Sequence, residues 1–359
     1  MSEALATPTG AQWGCHRCGA CCRVFQLGPV EPEILQNLAA SGVEDWWPLA
    51  AEAPFFHLRP TPEGPQAFLR KVDGACVFLD PEQGCVIHAR LGAAAKPSFC
   101  RQYPFHVVRD PLGLSAAVRS DCGGLGQDAA GDAPVSVLAA AHLDLPRPEP
   151  IPALLAPEYP LVPGLAVPAE GLARFVREQE AALATQDAAP AVLFAETRAA
   201  AARSFGLRFP ASDPARAEAA LQRVARALRD LVVQVDAAGE APSPAEAALV
   251  ADVAQTLTAA CAAPGPAAFT PAAAASANLS LRGHLLTHQG LAQGSVGAGL
   301  GLLDLQIELC ARASAPEPVD RPALTGRLSR LLRLCAHPAL AQLLRAHRPL
   351  VLERFVYAP

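Results

Sequence analysis

At 359 residues the chain is long enough for two units of roughly 100–200 residues each. A net charge of -5 offers no basic field for nucleic acid, so nucleic acid is excluded as a partner class. The opening MSEALATPTGAQWG has neither a basic n-region nor an apolar h-region, and no uncharged apolar run reaches the length of a membrane span, which points to a cytoplasmic protein without a membrane span.

Eleven cysteines are unevenly placed: eight lie at or before Cys122, and Cys261, Cys310 and Cys335 are scattered through an Ala/Leu-rich remainder. In a reducing compartment, clustered thiols serve as metal ligands or redox groups more often than as disulfides. Lysine is confined to Lys71 and Lys96, while arginine, alanine and proline abound, as in the drift of a GC-rich bacterial genome.

In chain order, Cys15, Cys18, Cys21 and Cys22 form a C-x2-C-x2-C-C run. Val24 to Leu27 reads as a short strand, and GPVEPEILQNLAA as a turn opening a helix with Pro and Glu in its first turn. The stretch AFLRKVDGACVFLDPEQGCVIHARLG alternates short β-like runs with turns and sets Cys76 and Cys85 on either side of DPEQG. Cys100 follows, and YPFHVVRDPLGLSAAVRSDC predicts a hairpin joined at Asp110-Pro111-Leu112-Gly113 that returns Cys122 toward the other thiols.

Residues 129–168 are dense in Pro and Ala and read as a linker lying against the surface. From 169 onward the spacing is helical, in GLARFVREQEAAL, AVLFAETRAAAARSF, DPARAEAALQRVARALRDLVVQV and SPAEAALVADVAQTLTAACAA, with further helices at about 278–313, 322–335 and 337–345. Asp213-Pro214 and Ser243-Pro244 each place an N-cap side chain before a proline at the first helical position. The fold expected is α+β: a small irregular Cys-rich metal-binding domain with short strands over 1–128, the linker over 129–168, and an all-α domain over 169–359.

Thiolates at the spacing of Cys15, Cys18 and Cys21 can hold three corners of a 4Fe-4S cluster, with a fourth ligand from elsewhere in the chain. Structural zinc usually takes two separated C-x2-C pairs, whereas Cys76, Cys85, Cys100 and Cys122 are widely spaced singles; iron-sulfur is therefore favoured over zinc, with one or two sites both open. Of the adjacent Cys21 and Cys22, one faces a second site or serves as a reactive thiol. His88 is a possible further ligand or a locally bonded helix-start histidine, His16 a surface residue, and Arg101 a cation beside the thiolates. His284 and His288 stand four apart on an expected helix, without the glutamate a metallohydrolase places between them, and read as a packed or surface face. The Gly-rich 294–302 has helical flanks and reads as close helix packing, not as a nucleotide loop.

The combination of C-x2-C-x2-C-C, CVFLDPEQGCVIHARLG and FCRQYPF resembles the YkgJ-type cysteine-cluster family, associated with zinc or iron chelation, over Cys15 to Cys122. The longer architecture is also similar to the flagellin lysine N-methylases, in which the cysteine domain precedes a helical region. The resemblance implies metal binding by Cys15, Cys18, Cys21, Cys22, Cys76, Cys85, Cys100 and Cys122. It offers two readings of function: a metal-binding protein of unassigned reaction, or a protein lysine N-methyltransferase that uses S-adenosylmethionine on a protein substrate. DCGGL at 121–125 departs from the methylase pattern, and catalytic residues and oligomeric state are not legible.

Overall fold

The computed structural model describes residues 5–23, 27–61, 64–125, 132–143, 150–237, 244–263, 265–335 and 338–357. The fold is α+β, with short strands in small sheets toward the N-terminus followed by a helical region. The strand expected at Val24–Leu27 falls largely outside the described residues, as does Ser243.

The largest sheet is three-stranded. Phe105–Asp110 and Gly113–Val118 pair in antiparallel register across Pro111-Leu112, with Gly113 opposite Asp110 and Val118 opposite Phe105, and Leu5–Ala6 adds a parallel edge. The two-residue connection matches the tight hairpins that conserve register. A smaller hairpin, Leu79–Asp80 with Gly84–Cys85, closes around DPEQG: Asp80 Oδ1 accepts from the backbone N–H of Glu82 and Gln83 at 2.8 and 2.7 Å, an Asx turn. The helix Pro32–Ala40 begins with Pro at its first position and buries Ile34 and Leu38. It joins a core with Phe55, Val77, Phe78 and Ile87 beneath the cysteine run.

Within the stretch expected as a linker, Val135–Leu143 is a helix packed on the three-stranded sheet, and Glu158–Val162 pairs with Leu165–Pro168 against the helical core. The helical region is built around Val296–Arg312, every residue of which is buried. Around it pack Pro244–Ala262, Arg321–Cys335 and Arg348–Tyr357, and Pro214–Ala237 lies against the first and last of these. Asp213 caps Pro214–Ala237, its Oδ1 accepting from the Arg216 N–H at 3.0 Å.

The run expected at about 278–313 is divided into Pro271–Leu286, a 3-10 turn at Gln289–Gln293, and Val296–Arg312. The break is enforced by His288 at φ 52° and Gly294 at φ 91°, both left-handed. Gly290 and Gly299 then meet so closely that a Cβ on Gly299 would stand 2.0 Å from Gly290 Cα. The glycines of 294–302 thus serve backbone packing.

The sheet docks directly on the helices. A Cβ on Gly283 would lie 3.1 Å from Ala117 Cβ. Arg177 donates to Asp110 Oδ1 at 3.0 Å and to the Leu112 carbonyl at 3.2 Å, and the buried Arg282 joins Glu180 while Glu180 accepts from the Thr9 N–H at 2.8 Å. Among the described residues no helix is long and apolar enough to cross a membrane.

Candidate metal centre

The cysteine run turns on two left-handed residues, Arg17 at φ 54° and Gly19 at φ 67°, before the 3-10 turn Ala20–Arg23. Gly19 is required there: beyond its φ, a Cβ would come within 2.9 Å of Leu79 Cδ2. Arg17 has no such freedom, and a positive φ in a non-glycine residue marks a locally constrained backbone. The Cys22 N–H donates to the Gly19 carbonyl at 3.0 Å and closes the turn, leaving the Cys21 and Cys22 sulfurs 3.8 Å apart.

Three other stretches bring thiols to this turn. Cys22 feels the charge of Cys21, Cys76 and Cys100; Cys76 feels Cys85 and Cys21; Cys100 feels Cys76, Cys85 and Cys21. Cys76 and Cys85 arrive on the strands Ala75–Cys76 and Gly84–Cys85, and Cys100 on the short helix Ser98–Gln102. Cys122 and Cys18 form a neighbouring pair: Cys122 feels Cys18, and a Cβ on Gly123 would stand 3.5 Å from Cys18 Sγ. Cys15 lies exposed at the start of the run.

The thiols are not alike. The hydrogen bond from Cys22 lowers the Cys21 thiol below its ordinary value, against the effect of burial, with further help from the charges of Lys96 and Arg333; Cys22 is pushed up in consequence. Burial raises Cys76 to about 12 and Cys100 well above the ordinary thiol range. Burial also raises Cys122, to about 11, partly offset by hydrogen bonds from the Gly124 backbone, Trp13 and Tyr103.

Among the described residues no three Cys, His, Asp or Glu side chains already stand at the spacing of a closed metal site. The donor chemistry nonetheless fits a soft cation or cluster, because an all-sulfur set with cations close by suits zinc or iron-sulfur, and a bound cation would offset the burial that disfavours these thiolates.

Sequence reasoning missed the two cations. Lys96 acts on Cys21, Cys76, Cys100 and His88, and Arg333, on the far helix Arg321–Cys335, acts on Cys21 and donates to the Ala20 carbonyl at 3.1 Å. Arg101, expected as the cation, is instead taken up by the carbonyls of Ala94 and Lys96, at 3.0 and 2.6 Å, and by Glu31 at 3.5 Å. It holds the turn that carries Lys96.

Ser329 Oγ donates to the Asp121 carbonyl at 2.7 Å, so the same far helix also fixes the approach to Cys122. His88 stands at the surface with its ring partly desolvated, which, with the charges of Lys96 and Arg17 adding to it, holds it below its ordinary value. His16, expected at the surface, is half-buried against Gly124, its Nε2 covered and without a partner. His284 and His288 do not share a helix face, since the helix ends at Leu286. The buried Cys310 and the half-buried Cys261 and Cys335 lie on helices of the C-terminal half and pack with its core.

Residues 14–123 match the CxxCxxCC family, described as a "Putative zinc- or iron-chelating domain". That match supports the cysteine-cluster resemblance seen in the sequence, and it supports metal chelation by this segment. No curated protein and no solved structure matches the chain.

Proposed function

We propose that this protein holds a metal centre in its N-terminal unit, residues 1–128, with Cys21, Cys22, Cys76, Cys85 and Cys100 as the principal thiolate set and Cys15, Cys18 and Cys122 beside it. The observation that carries the reading is the convergence of sulfurs from four separate stretches of chain: Cys21 and Cys22 stand 3.8 Å apart, Cys76, Cys85 and Cys100 lie close enough for their charge to act on thiols of the set, and Lys96 acts on Cys21, Cys76 and Cys100. These cysteines are free of pairwise bridges, which leaves them available for ligation as a disulfide scaffold would not.

An iron-sulfur cluster is the favoured occupant, and a 4Fe-4S cluster would need about four of these thiolates. Structural zinc usually takes two separated C-x2-C pairs, whereas Cys76, Cys85 and Cys100 are widely spaced singles. Lys96 and Arg333 would offset the negative charge that several thiolates bring to such a cluster.

Anaerobic purification followed by iron, sulfide and zinc analysis tests the reading. Iron and acid-labile sulfide in matching amounts support the cluster. Stoichiometric zinc without iron sets the cluster aside while keeping the ligands, and a chain that retains neither metal overturns the proposal.

A further inference from the structure

A pocket of about 270 Å³ opens beside the hairpin of Phe56–Thr61 and Gly64–Leu69. Residues two apart on a strand share one face, and His57 stands directly across from Phe68 in the register, so His57, Arg59 and Phe68 come together on the same side. The His57 ring stacks on Phe68, with centroids 6.3 Å apart and planes at 26°, and the Arg59 guanidinium carbon lies 5.3 Å from the centre of the same ring. Leu27 and Leu69 add to this apolar lining.

The polar groups are held at short range from one another. Arg59 Nε donates to His57 Nε2 at 2.8 Å. A guanidinium only donates, so that imidazole nitrogen is the unprotonated one and Nδ1 carries the hydrogen. Partial burial and the charge of Arg59 both lower the His57 pKa, which keeps the ring neutral at pH 7 with one N–H to offer. Arg59 is exposed, and its two terminal nitrogens are used by nothing among the described residues.

The charge of the pocket has one sign. Arg59, Arg70 and Lys71 all line it, and no carboxylate among the described residues does. Arg70 is held by carbonyls at the end of the short helix Pro48–Glu52: Nε donates to Pro54 at 3.0 Å, and Nη2 to Ala53 at 3.3 Å and to Leu49. Those neutral acceptors fix the guanidinium without cancelling its charge.

We propose that this pocket binds a phosphate monoester whose carbon portion is small and aromatic or apolar. The phosphoryl group, which carries roughly −1.5 to −2 charge at pH 7, meets the Arg59 fork and the His57 N–H in the field of Arg70 and Lys71, and the carbon portion lies on Phe68. A carboxylate brings less charge and fewer oxygens to the same wall and is the weaker match. No cysteine among the described residues lines the pocket, and the assignment does not depend on the metal proposal.

The test uses the full chain as purified, in a buffer free of phosphate. Phenyl phosphate, inorganic phosphate and benzoate are titrated calorimetrically. Phenyl phosphate is expected to bind and to raise the unfolding temperature. Inorganic phosphate, which lacks the ring, and benzoate, which lacks the phosphoryl group, should each bind at least about tenfold more weakly, a difference of about 1.4 kcal/mol. Inorganic phosphate binding as tightly as phenyl phosphate would make this a site for the free ion and overturn the monoester assignment.

Arg59→Ala, an exposed change, should weaken phenyl phosphate binding at least about tenfold, and Arg59→Lys, which keeps the charge without the fork, should recover part of the loss. Arg203→Ala removes an equal charge from an exposed position on the helix Pro190–Phe205 and should change nothing. No binding of phenyl phosphate at about 10 mM overturns the proposal, and so does an equal loss in Arg59→Ala and Arg203→Ala, or no loss in either.

Discussion

Arg333 and Ala20 are separated by 313 positions in sequence, yet the Arg333 guanidinium donates to the Ala20 carbonyl at 3.1 Å inside the cysteine run. The same guanidinium is braced by Ser329, through Nη2 to Oγ at 2.9 Å and Nε to the carbonyl at 3.1 Å. One helix therefore supports the turn that carries Cys21 and Cys22, and supplies a positive charge to it. Arg333→Ala should lower stability by about 1–3 kcal/mol, the usual loss when a charged hydrogen bond leaves its partner unsatisfied. Urea unfolding of the metal-loaded protein measures this, and a chelator challenge should release metal faster than from wild type. Arg333→Lys keeps the charge but not the fork, so it should fall between the two. Identical midpoints and release rates would show that the helix does not support the turn.

Single serine substitutions separate ligands from bystanders. Cys76→Ser, Cys85→Ser and Cys100→Ser each remove one sulfur from the mutually coupled set, and each should lower metal affinity by more than the ~10–100-fold typical of losing an outer-shell partner. Cys261→Ser changes a half-buried cysteine on the helix Pro244–Ala262 and should leave metal content unaltered. Metal analysis of the four variants decides the matter. Equal loss from Cys261→Ser would point to unfolding and not to ligation.

What the sequence disclosed about this site was local. Cys76 and Cys85 were legible as neighbours because DPEQG is a turn with its own hydrogen-bonding aspartate, and the Asp110–Gly113 hairpin was legible because its arms are β-prone around a two-residue connection. Lys96 and Arg333 were not legible, since nothing within a few residues of either indicates which thiols it will face. Arg101 misled for the same reason: adjacency to Cys100 suggested a partner, but its guanidinium is captured by carbonyls of the preceding turn. The periodicity across 278–313 likewise concealed a break, because His288 carries no sequence signal for a left-handed backbone. A cavity of about 580 Å³ assembles His106, His284 and Arg345 from distant elements, and no spacing rule reaches that far.

Asp110 links the sheet to the helices and should give the protein an acid limb of instability. Its side chain is fully buried and pairs with Arg177 at 3.0 Å, and its folded pKa lies below the ordinary carboxylate value. A depressed carboxylate contributes stability that is present above the unfolded value of about 4 and is lost as pH falls through the folded value. Asp110→Asn should therefore flatten the decline in stability below about pH 4. At neutral pH it should cost toward the lower end of the ~3–5 kcal/mol lost on breaking a buried pair, because Arg177 keeps some access to water. Chemical denaturation across pH 2.5 to 7, bracketing the ~4 carboxylate range, reads both effects. A variant with the same acid limb as wild type would assign that limb to other carboxylates.

The approach of Gly290 to Gly299 makes a graded packing test. A methyl on Gly299 would meet backbone, 2.0 Å from Gly290 Cα, and backbone cannot swing aside. A methyl on Gly297 would meet side chains first, Val162 Cγ1 at 2.9 Å and Phe355 Cδ1 at 3.1 Å, which can rotate, with the Leu161 carbonyl oxygen next at 3.2 Å. Gly299→Ala should accordingly lose at least the ~1–3 kcal/mol of an overpacked core, and Gly297→Ala clearly less, partly offset by the higher helix propensity of alanine. Because Gln289, Leu291 and Gly299 also line the cavity of about 580 Å³, Gly299→Ala should deform its wall while leaving the cysteine turn in place. Thermal unfolding and metal content measured together separate the two outcomes: a lowered transition with full metal loading is expected, and metal loss in Gly299→Ala would mean that the helical core and the cysteine turn unfold as one unit.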